Sequence, residues 1–113
     1  MPYINLATTE KLSDETKKTL KEEFGKAITL IPGKTEQWLM INLEGEKTMS
    51  LGGEFKPCAI VDIWIYGSST AEAYENVTKK VTDILEKYLD LSGENIYVCY
   101  QERLLWGHNG SNF

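Results

Sequence analysis

Apolar positions recur along this chain with two alternating periods. Tyr3 to Thr8 reads as a short strand that opens directly on Pro2, a position where a missing N–H is tolerated. Ser13 follows as a plausible helix N-cap, with Asp14 and Glu15 in the first turn, where the helix dipole favours anions. Behind it Leu20, Phe24, Ala27, Ile28 and Ile31 fall on one helical face. Pro32-Gly33 stops that helix, Gln37 to Leu43 reads as a second strand, and Gly45 and Gly52-Gly53 mark loops.

The second half repeats the order. Pro57 precedes a strand over Cys58 to Tyr66, and Ser69 and Glu72 have the spacing of a capping box. The next helix carries Val77, Val81, Ile84, Leu85 and Tyr88, the first stripe displaced by 57 positions at each member. Leu89 to Gly93 lead out of it to a strand over Ile96 to Gln101. The pattern predicts a single α+β domain over residues 1–113 built from a duplicated β-α-β unit. Each unit should close as a right-handed crossover with parallel strands.

Two helices can cover only one face of the resulting four-stranded mixed sheet. Yet Ala59-Ile60-Val61 and Ile63-Trp64-Ile65-Tyr66 are apolar on both faces of their strand, broken only by Asp62. Trp38 and Met40 add apolar surface on the second strand. A strand of that kind expects cover on both sides. The cover has to come from other copies of the chain, which predicts an obligate homo-oligomer.

Composition narrows the function classes. A hydrophobic fraction of 42% and a charged fraction of 26% are those of a soluble globular domain. A net charge of −5, with seventeen acids against twelve bases and no basic run, argues against nucleic acid as partner. No stretch approaches a membrane span, and Met1-Pro2-Tyr3-Ile4-Asn5 has neither part of a secretory signal. Cys58 and Cys99 lie in apolar, strand-like runs and read as buried, reduced thiols. The expected compartment is the cytoplasm, with release lacking a signal peptide as the alternative.

Candidate chemistry starts at the chain's beginning. Met1 followed by a small residue is a substrate pattern for methionine removal, which would leave Pro2 as a secondary amine. A free α-amino group titrates near ~7.7–8.0, and burial or a nearby cation lowers that value. A base poised near the operating pH is what proton-transfer catalysis requires.

With these features the chain resembles the macrophage migration inhibitory factor family of the tautomerase superfamily. The matching residues are Pro2, Gly33-Lys34, Met49-Ser50-Leu51-Gly52-Gly53, Pro57-Cys58-Ala59, Gly67, Ile96-Tyr97 and the tail Asn109-Gly110-Ser111-Asn112-Phe113. The resemblance implies a homotrimer with an active site at each subunit boundary and no metal or organic cofactor. It makes Pro2 the base that moves a proton between the oxygen and carbon ends of a keto–enol pair. It further implies that Lys34 and the Tyr66 N–H bind a substrate carboxylate and that Tyr97 comes from the neighbouring subunit. Trp106 and Phe113 would form an aryl-accepting wall.

Three positions depart from the family pattern. Cys99 stands where the animal cytokines carry asparagine, which removes one hydrogen bond to substrate; no neighbouring cation activates its thiol. His108, the only histidine, replaces a tail tryptophan and reads as an exposed loop residue. Val61 replaces the second cysteine of the mammalian Cys-x-x-Cys, so thiol–disulfide chemistry does not carry over. The leading expectation is a tautomerase of phenylpyruvate-like α-keto acids. Its alternatives are a cytokine-like protein that engages a host receptor and a related dehalogenase or decarboxylase. The single arginine, Arg103, fits the last poorly.

Overall fold

The computed structural model describes residues 1–113. Its elements run β1 (Pro2–Thr8), α1 (Asp14–Ala27), β2 (Met40–Glu44), β3 (Ser50–Leu51), β4 (Glu54–Phe55), β5 (Ala59–Tyr66), α2 (Ala71–Leu89), β6 (Ile96–Arg103), β7 (Gly107–His108) and β8 (Ser111–Asn112). The sheet order is β2-β1-β5-β6. β1 and β2 run parallel, as do β5 and β6, and β1 meets β5 antiparallel. That is the duplicated β-α-β unit, with its two copies joined at the centre of a mixed sheet.

Alternation along the central strands decides what each face becomes. Ile4, Leu6, Val61, Ile63 and Ile65 are fully or almost fully buried on the face that packs against both helices. Opposite them stand the stripe residues Leu20, Phe24, Ala27, Ile28 and Ile31, all buried, and Val77, Val81, Ile84 and Leu85 from α2. Both helices therefore serve one face, and Tyr3, Asn5, Asp62, Trp64, Cys99 and Gln101 share the other.

Local chemistry explains the boundaries. The Ser13 side chain accepts from the Thr16 N–H and caps α1, as its sequence suggests. The α2 cap differs from the expected Ser69–Glu72 box. Thr70 accepts from the Ala73 N–H instead, because the Ser69 N–H is held by Glu102 on β6. The second strand also differs: Glu36–Trp38 form a 3₁₀ turn, closed by the Leu39 N–H on the Glu36 carbonyl, and pairing begins only at Met40. Trp38 thus belongs to a turn rather than to the sheet, and it leans on the tail.

Cys58 is buried as expected, but Cys99 is exposed. The β6 strand reads Ile96-Tyr97-Val98-Cys99-Tyr100, apolar on both faces, so its composition could not fix which set turns inward. Register does: Asp62 pairs with Cys99 and Val61 with Val98, which sends the thiol to the open face. No helix is long and apolar enough to cross a membrane.

Candidate active site

Pro2 is the first residue of β1, a central strand, and it is buried. Having no N–H, it leaves no donor unpaired where the ladder begins. Next to it, the Tyr66 N–H donates to the Met1 carbonyl at 3.0 Å. Lys34 sits just past the Pro32-Gly33 stop of the first helical segment. Its Nζ donates to the Tyr66 carbonyl at 2.9 Å. Burial, then the Lys34 charge and its hydrogen bond, lower the Met1 terminal amine below its ordinary 8.0. The head of the chain is therefore a place that favours the neutral form of an amine more than water does, through burial and a nearby cation.

A cavity of about 900 Å³ opens at this point. Met1, Pro2 and Tyr3 line it from β1, Trp38 and Met40 from the turn and β2, Asp62 and Trp64 from β5, and Trp106 and His108 from the tail. The tail is held by its own short hairpin, in which Asn109 and Gly110 both have positive φ, 51° and 82°. The Phe113 N–H returns to the Trp106 carbonyl at 3.0 Å. That return places the Phe113 ring 5.6 Å from Tyr66 and stacks it on His108 at 6.3 Å between centroids. His108 in turn meets Trp38 edge-on at 5.7 Å.

The predicted residues thus separate into two groups. Pro2 and Trp106 line the cavity, while Lys34 lies by the Met1 amine, Tyr66 is bonded to the Met1 carbonyl and to Lys34, and Phe113 packs on Tyr66. Tyr97 and Cys99 do not reach this cavity within one chain. Tyr97 pairs with Ile60, whose other neighbour is Ala7, near the far end of β1. His108 is exposed, as its sequence position suggests, but it is not an idle loop residue: it joins Trp38 to Phe113 and lines the cavity. Trp38, Met40, Asp62, Trp64 and His108 are among the cavity residues that the sequence did not mark as part of a site. Nothing in their local pattern separates a cavity wall from an ordinary surface side chain.

The open face beside the cavity carries a polar cluster centred on Asp62. One carboxylate oxygen accepts from Trp64 Nε1 at 2.8 Å and Gln101 Nε2 at 2.9 Å; the other accepts from Gln101 at 3.0 Å and Cys99 Sγ at 3.3 Å. Partial burial and then the Asp62 hydrogen bond and charge push the Cys99 thiol above its usual 9.0, which makes it a poor nucleophile. No three His, Cys, Asp or Glu side chains converge to hold a metal ion.

A duplicated β-α-β sheet with a proline at the head of an inner strand and a lysine beside the terminal amine defines the tautomerase superfamily class. The sequence profile of the macrophage migration inhibitory factor family matches residues 1–113. Macrophage migration inhibitory factor of Xenopus laevis is 27% identical over 115 residues, covering 100% of this chain and 99% of its own. The crystal structure of Leishmania major MIF2 superposes with a TM-score of 0.93 at 25% identity, over 100% of this chain and 97% of that one. Pt0534, solved after inactivation by 2-oxo-3-pentynoate, shares the fold with a TM-score of 0.86 at 17% identity, over 97% of this chain and 94% of its own. The chain belongs to the macrophage migration inhibitory factor family.

Proposed function

We propose that this protein is a keto–enol tautomerase of phenylpyruvate-like α-keto acids, with Pro2 as its general base once Met1 has been removed. The observation that carries the reading is the bond between the Tyr66 N–H and the Met1 carbonyl beside Lys34. Loss of Met1 frees that N–H, converts the Pro2 nitrogen from an amide to a secondary amine, and leaves the Lys34 ammonium close to both. A substrate carboxylate fits the freed N–H and the ammonium through charge-assisted hydrogen bonds. The aryl group lies against Trp106, Phe113 and the neighbouring aromatic rings. Neutral Pro2 takes the enol proton and returns it to carbon, so no other group needs to change charge. The inactivation of Pt0534 by a 2-oxo alkynoate concerns a protein of the same fold, and it fits a site that binds 2-oxo acids.

The test is turnover of phenylpyruvate by protein whose intact mass lacks Met1. In Lys34→Ala, KM should rise by about 10-fold or more, the value of a lost charge-assisted hydrogen bond to carboxylate. An unchanged KM would remove Lys34 from the carboxylate site.

The site is completed, on this reading, in a homotrimer that brings the partner's Tyr97 edge to the cavity. Trp38, Met40, Tyr97, Leu104 and Leu105 are large apolar residues left exposed, and the second sheet face has no helix over it. Sedimentation should give a trimer at micromolar concentration; a monomer there would overturn the assembly.

A further inference from the structure

The tautomerase reading leaves the only arginine of the chain unused. Arg103 ends β6 directly beside Tyr66, and Tyr66 is bonded to Met1, the residue just before β1. Two strand spacings put its backbone about 10 Å from the head of β1. Its guanidinium lies 4.4 Å above the Trp64 ring and donates to the Gln101 side-chain carbonyl. Guanidinium carries five N–H donors in a fixed plane. Yet Arg103 has no ion pair; the only one in the structure joins Lys26 and Glu23.

The nearby acids are committed elsewhere. Glu102 turns to the helix side, where it accepts from the Tyr74 hydroxyl at 2.5 Å and the Ser69 N–H at 3.3 Å. Asp62 is filled by Trp64, Gln101 and Cys99. Meanwhile a second cavity of about 470 Å³ opens at Arg103, bounded by Trp64, Leu105, Trp106 and Gly107. Three of those residues, Trp64, Trp106 and Gly107, also line the Pro2 cavity. The two cavities are therefore neighbours that share walls.

We infer that Arg103 is a second anion-binding subsite of the Pro2 site, and that the substrate is an aryl or similarly flat keto acid bearing a second carboxylate. This inference rests on the tautomerase reading. A half-buried cation with unused donors and no carboxylate paired to it offers a substrate carboxylate a free partner. Stacking on Trp64 fixes the plane of the guanidinium, so little freedom is lost when a carboxylate docks. Asp62 makes the sheet side of the first cavity unfavourable for negative charge, which steers the second carboxylate toward Arg103. The same anion chemistry has a second source, a separate small carboxylate bound beside a monoanionic substrate.

The experiment compares kcat/KM for 4-carboxyphenylpyruvate and phenylpyruvate in the Met1-free protein, Arg103→Met and Arg103→Lys. The dianion-to-monoanion ratio should fall by about 10-fold or more in Arg103→Met and less in Arg103→Lys. A merely structural arginine would lower both rates and leave the ratio alone, which overturns the inference. If the ratio is constant while acetate saturably changes phenylpyruvate turnover only when Arg103 is present, the dicarboxylate substrate is overturned and the separate ligand takes its place. Failure of the unsubstituted protein to turn over either compound would count against the tautomerase reading instead. Titration of tryptophan fluorescence with 4-carboxyphenylacetate then decides Arg103 alone: weaker binding in Arg103→Met upholds the subsite, and equal binding removes it.

Discussion

Phenylpyruvate turnover by the Met1-free chain is expected to fall by about 10²-fold or more in Pro2→Gly, with the fold retained. Glycine keeps an amine at the same backbone position but makes it primary and freely rotating, so the base is no longer held by a ring against the strand. The structural cost is small because Pro2 is the first residue of β1 and contributes no N–H to the ladder. A proline-to-glycine change at such a site adds about 0.4–1 kcal/mol of unfolded-chain entropy, together with the loss of a buried ring. Loss of the enol absorbance gives the rate, and a circular-dichroism melt checks the fold. Full activity in the variant would sink Pro2 as the base.

The same mechanism fixes a pH dependence. The reactive form is the neutral amine, so kcat/KM rises with pH through the amine's pKa and is lost below it. Burial and the Lys34 charge lower the Met1 amine; the same two causes acting on a Pro2 amine should move the acid limb to lower pH than the amine would show in water. The Lys34→Ala variant removes one of those causes and should move that limb to higher pH while raising KM.

The second large effect lies away from the chemistry. Phe24 is fully buried and is the largest side chain of the closed core between α1 and the sheet. Phe24→Ala should lower unfolding free energy by about 3–5 kcal/mol, the usual cost of the lost burial plus the cavity left behind. Domains of this size are stable by only about 5–15 kcal/mol, so the variant should be far more sensitive to urea. Midpoints must be compared at equal protein concentration, since assembly would add stability by mass action. A loss below about 1 kcal/mol would mean that the core collapses around the gap.

The two helical stripes were legible in the sequence because a helix can bury only one face, and its period writes that face into residue type. Their repetition from Leu20–Ile31 to Val77–Tyr88 specified the duplicated unit in the same way, and Pro2 and Lys34 drew their interest from residue chemistry at the chain's head and after a helix stop. Where both faces of a segment are apolar, residue type loses that power. The Tyr97 and Cys99 set on β6 was as apolar as Ile96 and Val98, and only pairing with β5 assigned the faces. Gln37 and Trp38 read as strand until the Glu36–Leu39 turn took them out of the ladder.

The site itself was least visible, since it joins five separated segments. Met1-Pro2, Lys34, Trp38–Met40, Asp62–Tyr66 and the Trp106–Phe113 tail meet only because β1 lies between β2 and β5 and the tail hairpin folds back on Tyr66. The sequence by itself determined the repeated elements, their buried faces and the one terminal residue able to become a secondary amine. Tertiary structure alone decided which rings surround that amine, that Lys34 and Tyr66 share its space, and that Arg103 stands unpaired nearby. The physical reason is reach: periodicity reports burial over a few residues, whereas strand order and register set neighbours between residues as much as a hundred positions apart.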